Sequence, residues 1–363
     1  MKIDTPEYLL ARIASSTSGL QAAIGDVEYS IYRDQVEARE VTSPIFLTGL
    51  ARSGSTILLT VLDKAHGVDG HQYRDYPLIF YPIIWNRLQR LLTRGREDEA
   101  RERAHKDGIL ITRESRDAFE EPLWRHFFTL STRNGVYGRV LDRSDWNPEF
   151  NEFFTQHLKK ILLLRDCDRY LSKGNYNILR IPYLMELFPD AGFLIPVRHP
   201  MAHVMSLVRQ HLLFTEYART DSRVAKYMEM LGHYEFGPQR CVPGIDTDYV
   251  TEVQDHWASD RHFSGYALIW SAVYRWIHDY VSSTPSARSR VHFVRHEDLC
   301  KNPESVLDRL AHDLGLVVDQ RTVAEATRLI KPSKPERVEV PRTELDPVQK
   351  KLRMTADLFA YDI

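Results

Sequence analysis

The chain has 363 residues, of which 43% are hydrophobic and 27% charged, with a formal net charge of −2. That is the profile of a globular chain long enough for one large domain or two ordinary ones, and it excludes general nucleic-acid binding, which needs a basic surface. Three scattered cysteines, Cys167, Cys241 and Cys300, offer neither a CxxC pair nor a zinc spacing, which suits a reducing compartment or indifference to redox. The N-terminal MKIDTPEYLLARIASS carries acids and lacks the apolar stretch of a signal peptide. Apolar runs such as 161–164 are too short to span a bilayer, so the expectation is a cytoplasmic protein without an integral membrane segment.

In chain order, residues 5–40 read as helix, with a start signal at Thr5-Pro6-Glu7 and Leu9, Leu10, Ile13 and Leu20 near helical spacing. Pro44 opens a short apolar run, 45–48, that ends at Gly49 and reads as a buried strand, followed by a helix over 55–62. Helical patterns return at roughly 150–163, 201–212, 264–281 and 303–315, the last with Asn302 as cap and Pro303 at the first helical position. The runs 193–197 and 291–294 read as core strands leading into Arg198 and Arg295, and Pro196 predicts a strand end or an irregularity there. Residues 161–166, ILLLRD, imitate a magnesium-binding strand but continue the helical pattern from Phe153 and Phe154. The stretch 212–262 is rich in Asp, Arg, Tyr and Gly with weak periodicity, and reads as an insertion over the ligand edge of a sheet. Beyond Lys331, the prolines 332, 335 and 341 predict an extended arm packed on the body. The alternation of strands and helices gives an α/β layered fold around a mostly parallel sheet. Its expected parts are a helical segment 1–40, a main domain 41–330 and an arm 331–363.

The sharpest local feature is TGLARSGST at 48–56, between the first strand and its helix. Two glycines in the spacing G-x4-G let backbone N–H groups converge on a phosphate, and the helix N-terminus adds partial positive charge. The nucleotide-hydrolase version of such a loop carries Lys after the second glycine; here that position is Ser55, and the cation is Arg52. Arg52 with Ser53, Gly54, Ser55 and Thr56 suits a donor with one bridging phosphate better than it suits a magnesium–triphosphate. The alternative is a glycine turn without a ligand. A second cluster follows the 193–197 strand, where Arg198 ends the strand and Ser206 lies two turns into the next helix. With a helix opening near Pro200 both can reach one phosphate beside the first loop; by themselves they read better as a surface ion pair and a hydroxyl on a helix face, and the pairing with the first loop reverses that order.

A loop such as GLARSGST after a strand, then a strand ending in VRHP with Ser eight residues beyond the Arg, resembles the sulfotransferases that use 3′-phosphoadenosine 5′-phosphosulfate (PAPS). The stretches HQYRDYPLIF (71–80), RYLSKGNYNILRIPYLMELFPDAGFL (169–194) and VRHEDLCKNPESVL (294–307) are similar to its bacterial members. The resemblance runs from about residue 43 to 316 and departs at Ala51 and Ser55, where the family more often has Pro and Thr. It implies a P-loop-like three-layer fold, with the first loop on the 5′-phosphosulfate and Arg198 with Ser206 on the 3′-phosphate. The product would be adenosine 3′,5′-bisphosphate (PAP).

Sulfonate transfer is an in-line displacement that needs a cation at the departing oxygen and a base at the acceptor hydroxyl. Arg52 suits the first role. Lys173, in the stretch similar to the family's Lys-containing segment, is a second candidate, or else a solvated Lys in a turn with Gly174. YRD sits where related enzymes carry a catalytic carboxylate, so Asp75 is expected as the base, provided burial raises its pKa, with His71 as runner-up and an ion pair as the alternative. Glu120 and Glu121, before Pro122, could also reach the acceptor, though they better suit the start of a helix. Histidines 292 and 296 bracket a strand without a third ligand, so no metal site is expected. The resemblance favours a glycan or glycolipid hydroxyl as acceptor, against a small metabolite or lipid alcohol. The rival classes are a nucleotide kinase or hydrolase, and a donor-binding protein without catalysis; the oligomeric state is not legible.

Overall fold

Short apolar runs build the sheet that positions the site. The computed structural model describes residues 3–62, 65–92, 100–128, 130, 132–330 and 340–363. Five strands, β1 (Ile45–Leu47), β2 (Val68–Asp69), β3 (Arg169–Lys173), β4 (Gly192–Val197) and β5 (Val291–Arg295), form one sheet in the order β2-β3-β1-β4-β5. Every pairing in it is parallel. The register sets Leu47 opposite both Lys173 and Leu194, and Val197 opposite Arg295. The strands therefore discharge their carboxyl ends along one edge, and β1 stands where the connections turn to opposite sides, the usual place for a ligand in an open α/β sheet.

Period-2 alternation divides the core between the two faces. Ile45, Leu47, Leu171 and Leu194 pack with Leu58, Leu59, Leu307 and Leu310 on one side. Phe46, Tyr170, Phe193 and Ile195 meet the larger cluster on the other. The result is helix, sheet, helix: the three-layer P-loop-like fold that the sequence implied.

The principal helices are α1 (Thr5–Ser16), α2 (Ser18–Glu37), α3 (Ser55–Leu62), α4 (Pro82–Leu92), α5 (Pro148–Arg165), α6 (Pro200–Thr220), α7 (Arg223–Leu231), α8 (Thr247–Ala258), α9 (His262–Ser283) and α10 (Pro303–Leu314). Pro148 after the Asn147 cap starts α5, and Asp166 in the left-handed region ends it, so 161–164 finish a helix as the periodicity required. Gly25 lets α2 lie close to the Phe80 carbonyl, where a Cβ would come within 2.7 Å. The Lys160 ammonium of α5 donates to the Gly25 carbonyl at 2.6 Å and stands 3.4 Å from the buried Glu28.

Pro196 lies inside β4, an interior strand, and its tolerance has a geometric cause. Gly192 N donates toward β1, to the Pro44 carbonyl, whereas Phe193 N donates toward β5, to the Arg290 carbonyl. Residue 196 shares the parity of 192, so its missing N–H would face β1, which has already ended opposite Leu194.

One expectation gains detail and one needs correction. The 212–262 stretch is largely helical: α6 runs on to Thr220, α7 and α8 follow, and the loop between them carries the polar residues. In the tail, residues 331–339 with Pro332 and Pro335 lie outside the described residues. The remainder is helical at Arg342–Leu345 and Gln349–Ala356, and Tyr361 donates to the Val197 carbonyl at 3.0 Å. No helix among the described residues is long and apolar enough to cross a membrane.

Candidate functional site

The loop after β1 places its groups by backbone geometry. Gly49, Arg52 and Gly54 all have positive φ, at 143°, 71° and 100°. At Gly54 a Cβ would come within 2.5 Å of the His296 Nδ1, so only glycine fits beneath that ring. The left-handed turn at Arg52 sends its guanidinium toward α6. There Nε donates to the Ser206 hydroxyl at 3.3 Å and Nη1 to Asp107 at 2.7 Å. His203, one turn before Ser206, holds the loop from the other side through Nε2 and the Ala51 carbonyl at 2.8 Å. Arg198 acts electrostatically on Arg52, His203 and His296 alike. The two clusters that the sequence singled out thus adjoin, with Arg52 touching Ser206.

Thr56, in the first turn of α3, is the focus of two more cations. Its Oγ1 accepts from Arg103 at 3.0 Å and from Lys173 at 3.3 Å. Lys173 is the last residue of β3 and nearly buried, not a solvated side chain in a turn; it also donates to Asp117. Asp117 receives the Tyr73 hydroxyl at 2.7 Å on its other oxygen. Arg103 is held by Asp107, which it shares with Arg52. Burial alone would favour neutral acids here, but Arg103 and Arg52 hold Asp107, and Lys173 with Arg103 hold Asp117, well below the usual carboxylate range. The arrangement is a set of cations converging on a helix N-terminus, kept in place by two ionised acids. It opens on a cavity of about 800 Å³ lined by Arg52, Ser55, Thr56, Tyr73, Asp117 and Lys173, among others.

Asp75 and His71 are not brought to this cavity, and the base expected of Asp75 is corrected by its surroundings. Its carboxylate is fully buried, takes Arg165 on both oxygens at 2.5 Å, and accepts from Gln72 N and Asn86 at 2.8 Å. His71 Nδ1 stands 3.4 Å away, and His71 Nε2 lies 3.0 Å from His157. Burial would raise the Asp75 pKa, but His71 and Arg165 depress it well below the carboxylate range, the opposite of what a base needs. Asp75 is a structural anion that ties the segment after β2 to α5. Glu120 and Glu121 have structural partners too: Glu120 accepts from Tyr170 at 2.6 Å, and Glu121 from Arg180 at 2.6 and 2.9 Å.

Sequence reasoning missed Arg103, His105, Asp107 and Asp117, all on the segment around the small hairpin of Arg101–Glu102 and Leu110–Ile111. It also missed His233 and Glu235, which line the cavity from the loop after α7. The Gly108 turn between polar residues was the available signal for the first group. No group of three or more His, Cys, Asp or Glu side chains among the described residues is placed to hold a metal ion.

Likeness to known proteins agrees with this architecture. The model of the sulfotransferase family matches residues 44–254. No curated protein matches the chain. Sulfotransferase STF1 from Mycobacterium tuberculosis H37Rv superposes with a TM-score of 0.50 at 15% identity, over 93% of this chain and 81% of that one. Sulfotransferase STF9 from Mycobacterium avium does so with a TM-score of 0.51 at 13% identity, over 93% and 82%. At such identities the superpositions speak for the fold alone. The family match spans more than half of the chain, from the strand before the phosphate loop into α8, and by it the chain belongs to the sulfotransferase family.

Proposed function

We propose that the chain transfers the sulfonate of PAPS to an acceptor hydroxyl in the cavity beside α3. The convergence of Arg103 and Lys173 on the Thr56 hydroxyl, with Arg52 reaching across to Ser206, carries this reading. It supplies cations and hydroxyls for a doubly phosphorylated nucleotide, with no lysine after the second glycine. Arg52, Ser53, Gly54, Ser55 and Thr56 would hold the 5′-phosphosulfate, and Arg198 with Ser206 the 3′-phosphate. When bound, the donor supplies a sulfonate on a stable leaving group. Lys173 and Arg52 then oppose the negative charge that develops on the departing side, the largest contribution that fixed groups make in such a transfer. The walls orient the acceptor. Tyr73, Tyr76, Trp85 and Tyr227 line the cavity and suit the faces of sugar rings, which favours a glycan or glycolipid hydroxyl over a small metabolite.

Calorimetric titration with PAP in EDTA tests the donor. Tight binding is expected, and preference for magnesium–ATP would refute it. Arg198→Ala should weaken PAP by about 1.5–3 kcal/mol and leave adenosine 5′-monophosphate nearly unchanged. Equal losses for both nucleotides would assign Arg198 to the fold and not to the 3′-phosphate.

A further inference from the structure

We propose that His233 is the general base of the transfer and that Glu235 is its positioning residue. This assignment rests on the donor reading above and fills the role that Asp75 cannot take.

The other carboxylates and the other histidine lining the cavity each have a partner. Asp117 has Lys173 on one oxygen and Tyr73 on the other. Glu7 accepts from the Tyr227 hydroxyl at 2.5 Å, and Glu102 accepts from Gly108 N at 2.8 Å. His105 Nδ1 is paired with Gln210 at 2.9 Å; burial and the charges of Arg103 and Arg52 push its pKa down to about 3, which makes it a feeble base.

His233 is different. It follows Gly232, the left-handed cap of α7, and Gln239 binds its carbonyl at 3.3 Å, so its backbone is fixed. Its Nδ1 stands 3.5 Å from Glu235 Oε2, and among the described residues its Nε2 has no hydrogen-bond partner. Asn175 donates to the other Glu235 oxygen at 2.6 Å. Asn175 is two residues beyond Lys173, and Thr48 of the phosphate loop donates to the carbonyls of Gly174 and Asn175 at 2.7 and 3.3 Å. The pair is therefore mounted on the same strand end that carries the cation at Thr56.

Glu235 Oε2, a buried oxygen without a hydrogen-bond partner, faces Nδ1 and favours a proton there, which leaves Nε2 as the acceptor of a proton. The groups that act on His233 are Glu235 and Asp117, which favour its charged form, and Lys173, which opposes it; His105 is also within range. Burial disfavours charge, yet the two carboxylates prevail and raise the His233 pKa above its ordinary value. In the step itself, the acceptor oxygen bonds to sulfur while its proton passes to Nε2. The bond from sulfur to the bridging oxygen breaks, and its electron pair leaves with the 5′-phosphate.

Water is an acceptor small enough to enter the cavity, so release of inorganic sulfate from radiolabelled PAPS reads the base without a known substrate. His233→Gln should lower that rate roughly 100-fold or more while PAP affinity stays within about twofold. Glu235→Gln should move the acidic limb of the pH–rate profile to lower pH, and Glu235→Asp should bring it back. In the free protein, nitrogen-15 spectra of the histidine rings should show the His233 pKa falling in Glu235→Gln. Loss of PAP binding by the wild type would refute the donor reading, and the ring titration would still judge the pair. PAP binding with undiminished sulfate release in His233→Gln, a wild type no faster than buffer, or a ring pKa indifferent to Glu235 would each overturn the assignment.

Discussion

Asp75→Asn separates a structural carboxylate from a catalytic one. The wild-type side chain is wholly buried, and Arg165 opposite it is 1% exposed. Removing one charge of such a pair leaves the guanidinium with only Asp69, 3.8 Å from its Nε, as counter-ion, and breaking a buried pair costs about 3–5 kcal/mol. Asn keeps the shape and can still accept from Gln72 N, so about 3 kcal/mol is the expected loss in a urea titration. Arg165→Met in the same chain should recover part of it, because both charges are then gone. The pH dependence follows by linkage. A carboxylate whose folded pKa is depressed contributes stability above its unfolded value, near 3.9, and loses it as the pH falls through that value toward the folded pKa. The wild type should therefore lose stability progressively below about pH 5, and Asp75→Asn should flatten that acid limb. PAP affinity of the folded variant should match the wild type. A variant of unchanged stability that no longer transfers sulfonate would refute the structural role and restore Asp75 to the chemistry.

Gly54→Ala should abolish PAP binding by calorimetry and cost about 1–3 kcal/mol of stability, because φ is +100° there and the new methyl meets His296. An alanine variant that binds PAP normally would show that the loop relaxes without cost. Asp107→Asn should tighten PAP by about 1 kcal/mol, roughly fivefold, since it deletes a carboxylate lodged between Arg52 and Arg103 in a site of intermediate effective dielectric. Weaker binding would mean that Asp107 is needed to hold the two guanidinium groups in place.

The elements that the sequence shows clearly are those whose environment is uniform. β1 and β4 are buried at every residue, and their apolar runs announce it. β3 is equally central but reads RYLSK, because its two ends leave the core for different purposes. Arg169 donates to the Ser43 and Leu314 carbonyls at 2.5 Å, and Lys173 enters the cavity, so only Tyr170, Leu171 and Ser172 are buried on the sheet. A strand with charged ends resembles a turn when read by hydropathy. β2 is two residues long and has no periodicity to show.

The same reasoning explains the uneven legibility of the site. Glycines at fixed offsets encode the loop after β1, since positive φ and close approach restrict the residue type, and so 48–56 stands out in a single sequence. The cations that complete it obey no local rule. Arg103 and Thr56 lie 47 residues apart, and Lys173 and Asp117 56 apart; only the sheet register and the hairpin bring them together. Asp75 misled for a related reason. Sequence position put a carboxylate near the donor strand, but whether burial raises its pKa or a counter-ion lowers it depends on Arg165, which is 90 residues away. A base must keep a lone pair directed at the acceptor. Glu235 lies only two residues from His233, but its fixing partner Asn175 is 60 residues distant, so that property, too, belongs to the fold and not to any short stretch of the chain.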